Sequence, residues 1–375
     1  MADAFTFLHS ADLHLGRRFG NLPEALRGRL IEARHQIIAR LAQAARDHGA
    51  RDILLAGDTF DTETPAEATL RQALHAMADD ASLTWWLLPG NHDSLGAEAL
   101  WEDLARQAPG NLRLLTREAP ERIAPGVTLL PAPLPRRHAG RDLTQWMTGA
   151  ATPEGDLRLG LAHGGIQSFS EDTRDEGIIP PDRAQSAGLA YLALGDWHGQ
   201  KQVGPRTAYS GTPEFEEFRH TGRGACLAVT LRGEAPVVKT VETGTFHWAE
   251  AELDLVPGQD APGVLDALLP PPGAARRDHL LRIHARGRAT LEAQQALRAA
   301  ARQAEPDFAH FRLETAMLDT EITEADLDQL DHGGALRAAA DRLAAQAGDP
   351  ALAESERRIA SGALNRLYSY LADDA

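Results

Sequence analysis

Over the first ~245 residues, short apolar runs alternate with longer stretches whose apolar positions recur at helical spacing. Ala4–Leu8 is a short apolar run and predicts a strand. Pro23 to His48 predicts a long helix, with Leu26, Leu30, Ile37, Ile38 and Leu41 as its buried positions. DILLA (Asp52–Ala56) is a buried-strand run. Thr64-Pro65, a capping residue followed by a first-turn proline, predicts a helix over Pro65–Met77. Leu83–Leu88 reads as a strand and Leu95–Gln107 as a helix. Further strand runs are Val127–Leu130, Leu157–Ala162, Leu189–Leu194 and Cys226–Leu231. Strands alternating with helices predict an α/β fold. The later strands come closer together, so that half predicts a second sheet, and the whole a two-sheet β-sandwich flanked by helices. Residues 131–156, rich in Pro, Gly and Arg, predict a surface connection with one short helix. Residues 165–188 predict a long loop over the sheet edge.

From about Thr245 the pattern changes. HWAEAELDL, HLLRIHARG and AHFRLETAML read as strands, and VLDALL and ATLEAQQALRAAARQA as helices between them. This β-α-β-α-β order predicts a smaller α+β domain. Residues 335–371 are Ala-, Arg- and Leu-rich and helical. The predicted organisation is a main domain over 1–244, a second domain over 245–340 and a helical tail over 341–375.

Composition narrows the setting. Forty-three per cent hydrophobic with 25% charged residues is globular composition. A single cysteine, Cys226, excludes an internal disulfide framework and fits a reducing compartment. The N-terminus lacks a basic segment followed by a long apolar one, and no apolar run approaches ~18 residues. The expected location is therefore cytoplasmic, with no membrane partner. The net charge of −16 argues against a broadly basic surface for nucleic acid. An acidic site that takes divalent cations nevertheless becomes locally positive once loaded.

The candidate chemistry lies where five strand runs end. Asp12-Leu13-His14 follows FTFLHSA, Gly57-Asp58 follows ILLA, and Gly90-Asn91-His92-Asp93 follows WWLLP. His163-Gly164 follows LGLA, and Gly195-Asp196-Trp197-His198 closes the last run. Ligands of α/β sheets bind at the carboxyl ends of strands, so five such ends can converge on one crevice. Each piece alone has a plain reading: a strand end, a tight turn, a satisfied core histidine. Taken together they supply oxygen and imidazole donors without thiolate, a set suited to Mn, Fe, Zn or Mg. Seven such residues exceed the needs of one ion and suit two ions ~3.5–4 Å apart, the arrangement used to hydrolyse phosphate esters.

The order D-x-H, G-D-x-x-D, G-N-H-D, H-G, G-x-x-H resembles the calcineurin-like metallophosphoesterase superfamily. Within it, HSADLHLG (9–16), GDTFD (57–61), LLPGNHD (87–93), LAHGG (161–165), GDWHG (195–199) and YSGTPE (209–214) resemble the SbcD-like DNA-repair nucleases. The β-α-β-α-β segment is similar to that family's capping domain. The resemblance implies that Asp12, His14 and His198 bind one ion, that Asn91, His163 and residue 196 bind the other, and that Asp58 bridges them. It implies two divalent ions of the Mn(2+) kind that activate a water for in-line attack on phosphorus. His92 would sit off the ions, stabilise the transition state and help protonate the leaving oxygen, with Asp93 to orient it. Asp61 would reach the substrate or the residues behind the ligands, or serve as a turn carboxylate. The implied activity is hydrolysis of DNA as an exonuclease, extending to endonuclease action. The implied partners are DNA, an SMC-like ATPase subunit and a second copy of the chain, paired through helices near 23–48 or 65–107.

One position departs from the family. Asp196 stands where the resemblance calls for His. Aspartate is a competent hard ligand, and the expected site still holds two ions, with a stronger preference for Mn or Mg. The alternative is that the shorter side chain fails to reach and the second ion is labile. Two other functions stay open. A phosphodiesterase or phosphatase for a small nucleotide or phosphoprotein suits the net charge. A scaffold for an SMC-like ATPase would follow if Asp196 impaired the site.

Weaker features are Arg17, Arg18 and Phe19, which suit phosphate-backbone contact or a solvated loop, and a basic cluster of Arg136, Arg137, His138 and Arg141. Arg276, Arg277, Arg282, Arg286 and Arg288 give the second domain a basic character that suits steering of DNA, although helix-end and solubility roles explain it nearly as well. No P-loop motif is present, so any ATP dependence would come from a partner.

Overall fold

The computed structural model describes residues 4–138, 140–167, 179–232, 235–321 and 334–373. Two compact units divide it, Met1–His247 and Trp248–Ala375.

In the first unit the strands are β1 (Phe5–Ser10), β2 (Asp52–Leu55), β3 (Thr84–Leu87), β4 (Leu112–Leu114), β5 (Glu121–Ala124), β6 (Val127–Ala132), β7 (Leu157–His163), β8 (Tyr191–Gly195), β9 (Lys201–Gly204), β10 (Thr207–Tyr209), β11 (Ala225–Arg232) and β12 (Ala235–Glu242). They form two six-stranded sheets, ordered β12-β11-β1-β2-β3-β4 and β5-β6-β7-β8-β10-β9. β1 to β4 run parallel, as do β6 to β8, which sets their carboxyl ends on one side of each sheet.

Burial on both faces explains the continuous apolar runs. In β2, Ile53 and Leu55 join a core with helices Ile37–Asp47, Glu67–Ala78 and Glu98–Gln107, through Leu41, Leu74 and Leu104. Leu54 points the other way and packs with Phe7, Trp86, Leu129, Leu161 and Val229 between the sheets. The outer face of the second sheet is covered by a 3-10 turn at Gln145–Gly149 and a short helix at Arg183–Ser186, packed on Leu130, Leu192 and Leu194. Two sheets flanked by helices is the predicted architecture.

Trp85 is fully buried, and its indole N–H donates to the Met77 carbonyl at 3.2 Å. Trp85→Ala is expected to lower unfolding free energy by about 3–5 kcal/mol, from lost burial and the cavity left behind. Urea unfolding of the first unit's signal checks this; a loss below about 1 kcal/mol would mean the core collapses onto the gap.

The predicted helix over 23–48 is two segments, Glu24–His35 and Ile37–Asp47, with Gln36 between them still in right-handed helical geometry. The next helix starts at Glu67 with Ala66 at its cap, so Thr64-Pro65 precedes it and does not cap it. Strands β4, β5, β9, β10 and β12 have no counterpart among the predicted elements. They are short, or polar and half exposed like β12. Part of the predicted 165–188 loop, residues 168–178, lies outside the described residues; beside it Ile166 and Ile179 form an isolated bridge.

The second unit carries β13 (His247–Leu255), a helix at Ala261–Leu268, β14 (His279–Thr290), a helix at Leu291–Ala304 and β15 (His310–Glu321), with its strands in a sheet ordered β13-β14-β15. β14 and β15 are parallel, so the Leu291–Ala304 helix is their crossover, and the Thr290 hydroxyl caps it by accepting from the Ala293 N–H at 3.2 Å. Leu253, Leu265, Ile283, Leu297 and Phe311 form its core. Two further helices, Ala335–Gly348 and Glu354–Asp373, pack Ala340 and Leu364 on Leu291.

The arginines of this unit are largely committed to neighbouring carboxylates. Arg282 meets Glu250 at 2.9 Å, and Arg286 meets Glu252 at 2.5 Å and also pairs with Asp254. Arg276 is buried on the Pro270 carbonyl and Asp307. These pairs reduce the free positive charge expected for steering DNA. No helix among the described residues is long and apolar enough to cross a membrane.

Candidate metal centre

The loops after β1 and β2 are zipped together by backbone bonds. The N–H groups of Asp12, His14 and Leu15 donate to the carbonyls of Gly57, Asp58 and Thr59 at 3.1, 3.0 and 2.9 Å, and Asp61 N–H returns to Leu15 O at 3.0 Å. This register sets the first two motifs face to face. Asp12, His14, Asp58 and Asp196 all adopt positive φ (+55°, +44°, +53° and +99°). Non-glycine residues in this region cost local free energy, and such positions cluster at functional sites. Gly57, at φ +91°, has no room for a Cβ because the His163 ring occupies that space; at Gly90 the Asp58 carboxylate does.

One cluster joins Asp12, His14 and His198. The Nε2 atoms of His14 and His198 face each other at 3.3 Å. Their Nδ1 atoms turn to carboxylates, His14 to Asp61 at 3.4 Å and His198 to Glu216 at 3.2 Å. Each imidazole thus has a carboxylate at ion-pair distance on its Nδ1 side, with Nε2 turned toward the other ring, although His14 Nδ1 makes no hydrogen bond. Ring nitrogens so placed fit a metal ion. Burial alone would lower the His198 pKa, but Glu216 and Asp12 more than offset it and hold it above its usual range. Burial would raise Glu216, yet His198 and Arg34 hold it well below the carboxylate range.

The other cluster joins Asp12, Asp58 and His163. His163 Nδ1 donates to the Ala56 carbonyl at 2.8 Å. Its Nε2 then points among three oxygens: Asn91 Oδ1 at 2.7 Å, Asp58 Oδ2 at 3.6 Å and Asp196 Oδ1 at 3.7 Å. Burial disfavours the charged ring, but Asp58, Asp12 and Asp196 overcome it and push the pKa up to about 9. This donor set fits a metal ion. Asp58 Oδ2 lies 3.9 Å from His14 Nε2 as well, so this carboxylate sits between the clusters. Asp196 thus reaches the same space as His163 and Asn91. Its backbone N–H meets both Asp12 carboxylate oxygens at 3.2 Å, and its side chain is 36% exposed at the rim.

His92 stands beside these groups, edge-on to His14 with ring centroids 4.8 Å apart. Its Nδ1 is 2.7 Å from the Asp61 carbonyl, its backbone N–H donates to Asp58 Oδ1 at 2.8 Å, and the carbonyl can only accept, so Nδ1 carries hydrogen and Nε2 is free to exchange a proton. Asp93, expected to orient His92, instead accepts the N–H groups of Gly90 at 2.7 Å and Phe60 at 3.1 Å, pinning the two motif loops together. Burial, with the Asp58 charge, pushes its pKa up to about 6.

The structure therefore brings all eight predicted residues together. It also adds Glu216 and Arg34, which sequence reasoning passed over, and Arg17, which it read as a phosphate-backbone contact or a loop residue. Glu216 backs His198, two residues past YSGTPE, where the alternating Glu214 and Glu216 were the available signal. Arg34 is buried in the first helix and donates to the carbonyls of Leu13 at 2.7 Å and Glu214 at 2.9 Å. Arg17 is paired, at 3.3 Å with Asp61 and 3.0 Å with Glu216, instead of lying in a solvated loop. Phe19 is buried beneath the Arg34 guanidinium. His9, in the same motif as His14, is a core residue: it bonds Leu194 O and the Tyr191 hydroxyl, and burial pulls its pKa down to about 3. In the 136–141 basic cluster, Arg141 pairs with Glu118 at 2.9 Å.

Two sheets thus carry acidic and imidazole donors at their strand ends, a set that fits divalent metal ions. Residues 5–198, more than half of the chain, match the calcineurin-like phosphoesterase family, and the chain belongs to that family. A curated relative is the uncharacterized metallophosphoesterase YhaO of Bacillus subtilis (strain 168), 26% identical over 255 residues. That match spans 62% of this chain and 59% of the relative, less than two thirds of its length. Similar solved structures include TT1561 of Thermus thermophilus, with 12% identity, TM-score 0.39, and 63% of this chain and 99% of that one covered. Another is a dimetal phosphatase from Danio rerio, with 13% identity, TM-score 0.43 and coverage of 63% and 95%.

Proposed function

We propose that this chain is a two-ion phosphodiesterase that cleaves DNA from its ends. The observation that carries the reading is the pair of facing donor clusters joined by Asp58. Asp12, His14 and His198 would hold one ion, and Asn91, His163 and Asp196 the other. The hard, carboxylate-rich donor set favours Mn(2+). Ions held there supply an acidified water and neutralise charge that builds on the phosphoryl oxygens. The chain's own part is positional and acid–base. Asp61 and Glu216 orient the imidazoles, Asp58 spans both clusters, and His92 Nε2 is the proton-trading atom for the leaving oxygen.

The DNA assignment is supported by the SbcD-like motif set and by Trp197, which lies between two proposed ligands. Trp197 is 41% exposed and carries the Lys201 ammonium 5.3 Å over its ring. An aromatic face with a cation suits a stacked base and its phosphate. An SMC-like ATPase and a homodimer belong to the same reading.

The test compares Mn(2+)-dependent turnover of bis-nitrophenyl phosphate, nitrophenyl phosphate, and linear and circular duplex DNA. The expected result is diester hydrolysis well above monoester hydrolysis, shortening of linear DNA with circles spared, and steep loss of DNA cleavage as salt rises. Turnover of small diesters with DNA left intact at low salt would favour a small-nucleotide diesterase, which the net charge of −16 and the paired arginines of the second unit support. No turnover with two ions bound would leave the scaffold reading.

A further inference from the structure

We infer that His9 is a positioning residue of the metal centre: its imidazole ties β1 to β8 across the layer between the two sheets and so fixes the spacing of the strand ends that carry the proposed ligands. This rests on the two-ion reading and is independent of DNA as substrate.

The proposed ligands divide between the sheets. Asp12 and His14 follow β1, Asp58 follows β2 and Asn91 follows β3, all in the first sheet. His163 ends β7, and Asp196 and His198 follow β8, in the second. Each ion would therefore draw donors from both sheets, and the gap between the sheets decides whether the two halves of a donor set meet. That gap is tight beneath the site. A Cβ on Gly195 would fall 2.0 Å from the Ala56 carbonyl oxygen and 2.8 Å from the Ala11 Cβ.

His9 is fully buried and lies in the apolar layer. It shares a face of β1 with Phe7, whose ring packs edge-on against Tyr191 with centroids 5.8 Å apart. A histidine in such a layer is costly unless its nitrogens are paired. Both are paired here. His9 Nε2 meets the Leu194 carbonyl at 3.1 Å, and because a carbonyl only accepts, this nitrogen carries the hydrogen. Nδ1 is then the acceptor, and the Tyr191 hydroxyl donates to it at 3.2 Å. Burial pulls the His9 pKa down to about 3, so the ring is neutral and this pairing holds at neutral pH. Phenylalanine would fill the layer with no polar group to satisfy. What histidine adds is direction, a bond to one particular carbonyl of the opposite sheet.

That carbonyl is well placed. Leu194 stands two residues before Asp196, and His9 three before Asp12. The tie joins the two chains just behind the proposed ligands without using one of them. Other contacts between the sheets do run through them: Asp196 N–H meets the Asp12 carboxylate at 3.2 Å, and His163 Nδ1 donates to the Ala56 carbonyl at 2.8 Å. Those groups change their charge balance when ions enter. A neutral imidazole outside the donor sets does not.

The experiment titrates the metal-free full chain with Mn(2+) by calorimetry, below the thermal midpoint of every variant, and records the electron paramagnetic resonance spectrum of each Mn(2+)-saturated sample. Spin coupling between two Mn(2+) ions depends on their separation, so the spectrum reads a spacing that a merely structural role would leave alone. His9→Gln keeps a donor long enough for Leu194 and an acceptor for Tyr191. His9→Asn is too short for Leu194, and His9→Phe keeps the volume with neither bond. Tyr191→Phe removes the hydroxyl and leaves the Leu194 bond. His9→Asn and His9→Phe should weaken both steps of Mn(2+) uptake by about 10–100-fold, the range for groups that orient ligands, and change the coupled spectrum. His9→Gln and Tyr191→Phe should keep that spectrum and most of the affinity. Where one of the first pair fails to fold, the other carries the test. The inference is overturned if folded His9→Asn or His9→Phe binds both ions with unaltered affinity and spectrum, if the loss falls on one step alone, or if all four variants lose affinity in step with their thermal midpoints while the spectrum stays the same. Uptake of fewer than two ions by the unaltered protein, or of two ions without spin coupling, would instead overturn the two-ion reading, and this inference with it.

Discussion

His92→Ala is expected to slow DNA cleavage by about 10²–10⁴-fold, the range for loss of a general acid, while the chain still binds two ions. His92 lies outside the two clusters that Asp58 joins, and groups instead with His14 and Asp61. Its ring is held by the Asp61 carbonyl at 2.7 Å and by the edge contact with His14. Removing it leaves the ligand loops intact, because these are pinned by Asp93 and by backbone bonds that His92 does not supply through its side chain. The discriminating measurement is the leaving group. A deoxyribose oxygen departs as a poor leaving group and needs a proton, whereas nitrophenolate departs without one. His92→Ala should therefore lose far more on DNA than on bis-nitrophenyl phosphate. Equal losses on both substrates, with metal content unchanged, would mean His92 acts on the charge of the transition state and not on the leaving oxygen. Loss of an ion in the variant would remove it from the acid–base role.

The candidate ligand residues were legible because each sits directly after a buried apolar strand, and parallel strands carry their ends to one side. Asp12, Asp58, Asn91 and His163 needed only that rule and the alternation of strand and helix. Asp196 was legible as an oddity, and the distance to His163 shows that it turns toward the site. What stayed hidden depends on contacts far apart in sequence. Glu216 and His198 are joined across the intervening strands β9 and β10, and Arg34 reaches Leu13 and Glu214 from a helix face that reads as ordinary amphipathic surface. The roles of Asp93 and Arg17 differ from expectation for the same reason: a carboxylate beside a histidine in sequence points at backbone amides in space, and an arginine in a loop finds two carboxylates. The basic residues of the second unit carry no mark of the acidic strand that neutralises them, since cross-strand partners lie ~30 residues away. Edge strands such as Lys201–Gly204 and Ala235–Glu242 lack an apolar run because one side of each is open to solvent.

Asp58→Asn is expected to abolish phosphodiesterase activity, by about 10³-fold or more, through loss of both ions and not of one. Its Oδ2 is the atom near both His14 Nε2 and His163 Nε2, so an amide there withdraws charge from the two clusters at once. Asn keeps the shape and can still accept the His92 N–H, so the loop should persist. In the metal-free protein at neutral pH the same substitution should relieve Asp12 and Asp93 but also take away the carboxylate that most strongly holds His163 charged, so its net effect on stability is the balance of the two. Asp58 lies close to Asp12 and Asp93, both buried, and its charge helps raise the pKa of each after burial itself. Asp93 moves from 3.8 to about 6, so the stability tied to its protonated form is full below its unfolded pKa and is lost as pH rises through about 6. With the Asp58 charge removed, that loss should be shallower. Urea unfolding of metal-free protein from pH 4 to 8, with and without the substitution, reads the effect, and Mn(2+) titration of the same samples reads the ligand role. A variant that retains one ion at unaltered affinity would show that Asp58 serves a single site; one that retains both would remove it from the metal centre. A variant that loses both ions while gaining metal-free stability would show a carboxylate kept in place at the expense of the fold because the bound ions need it.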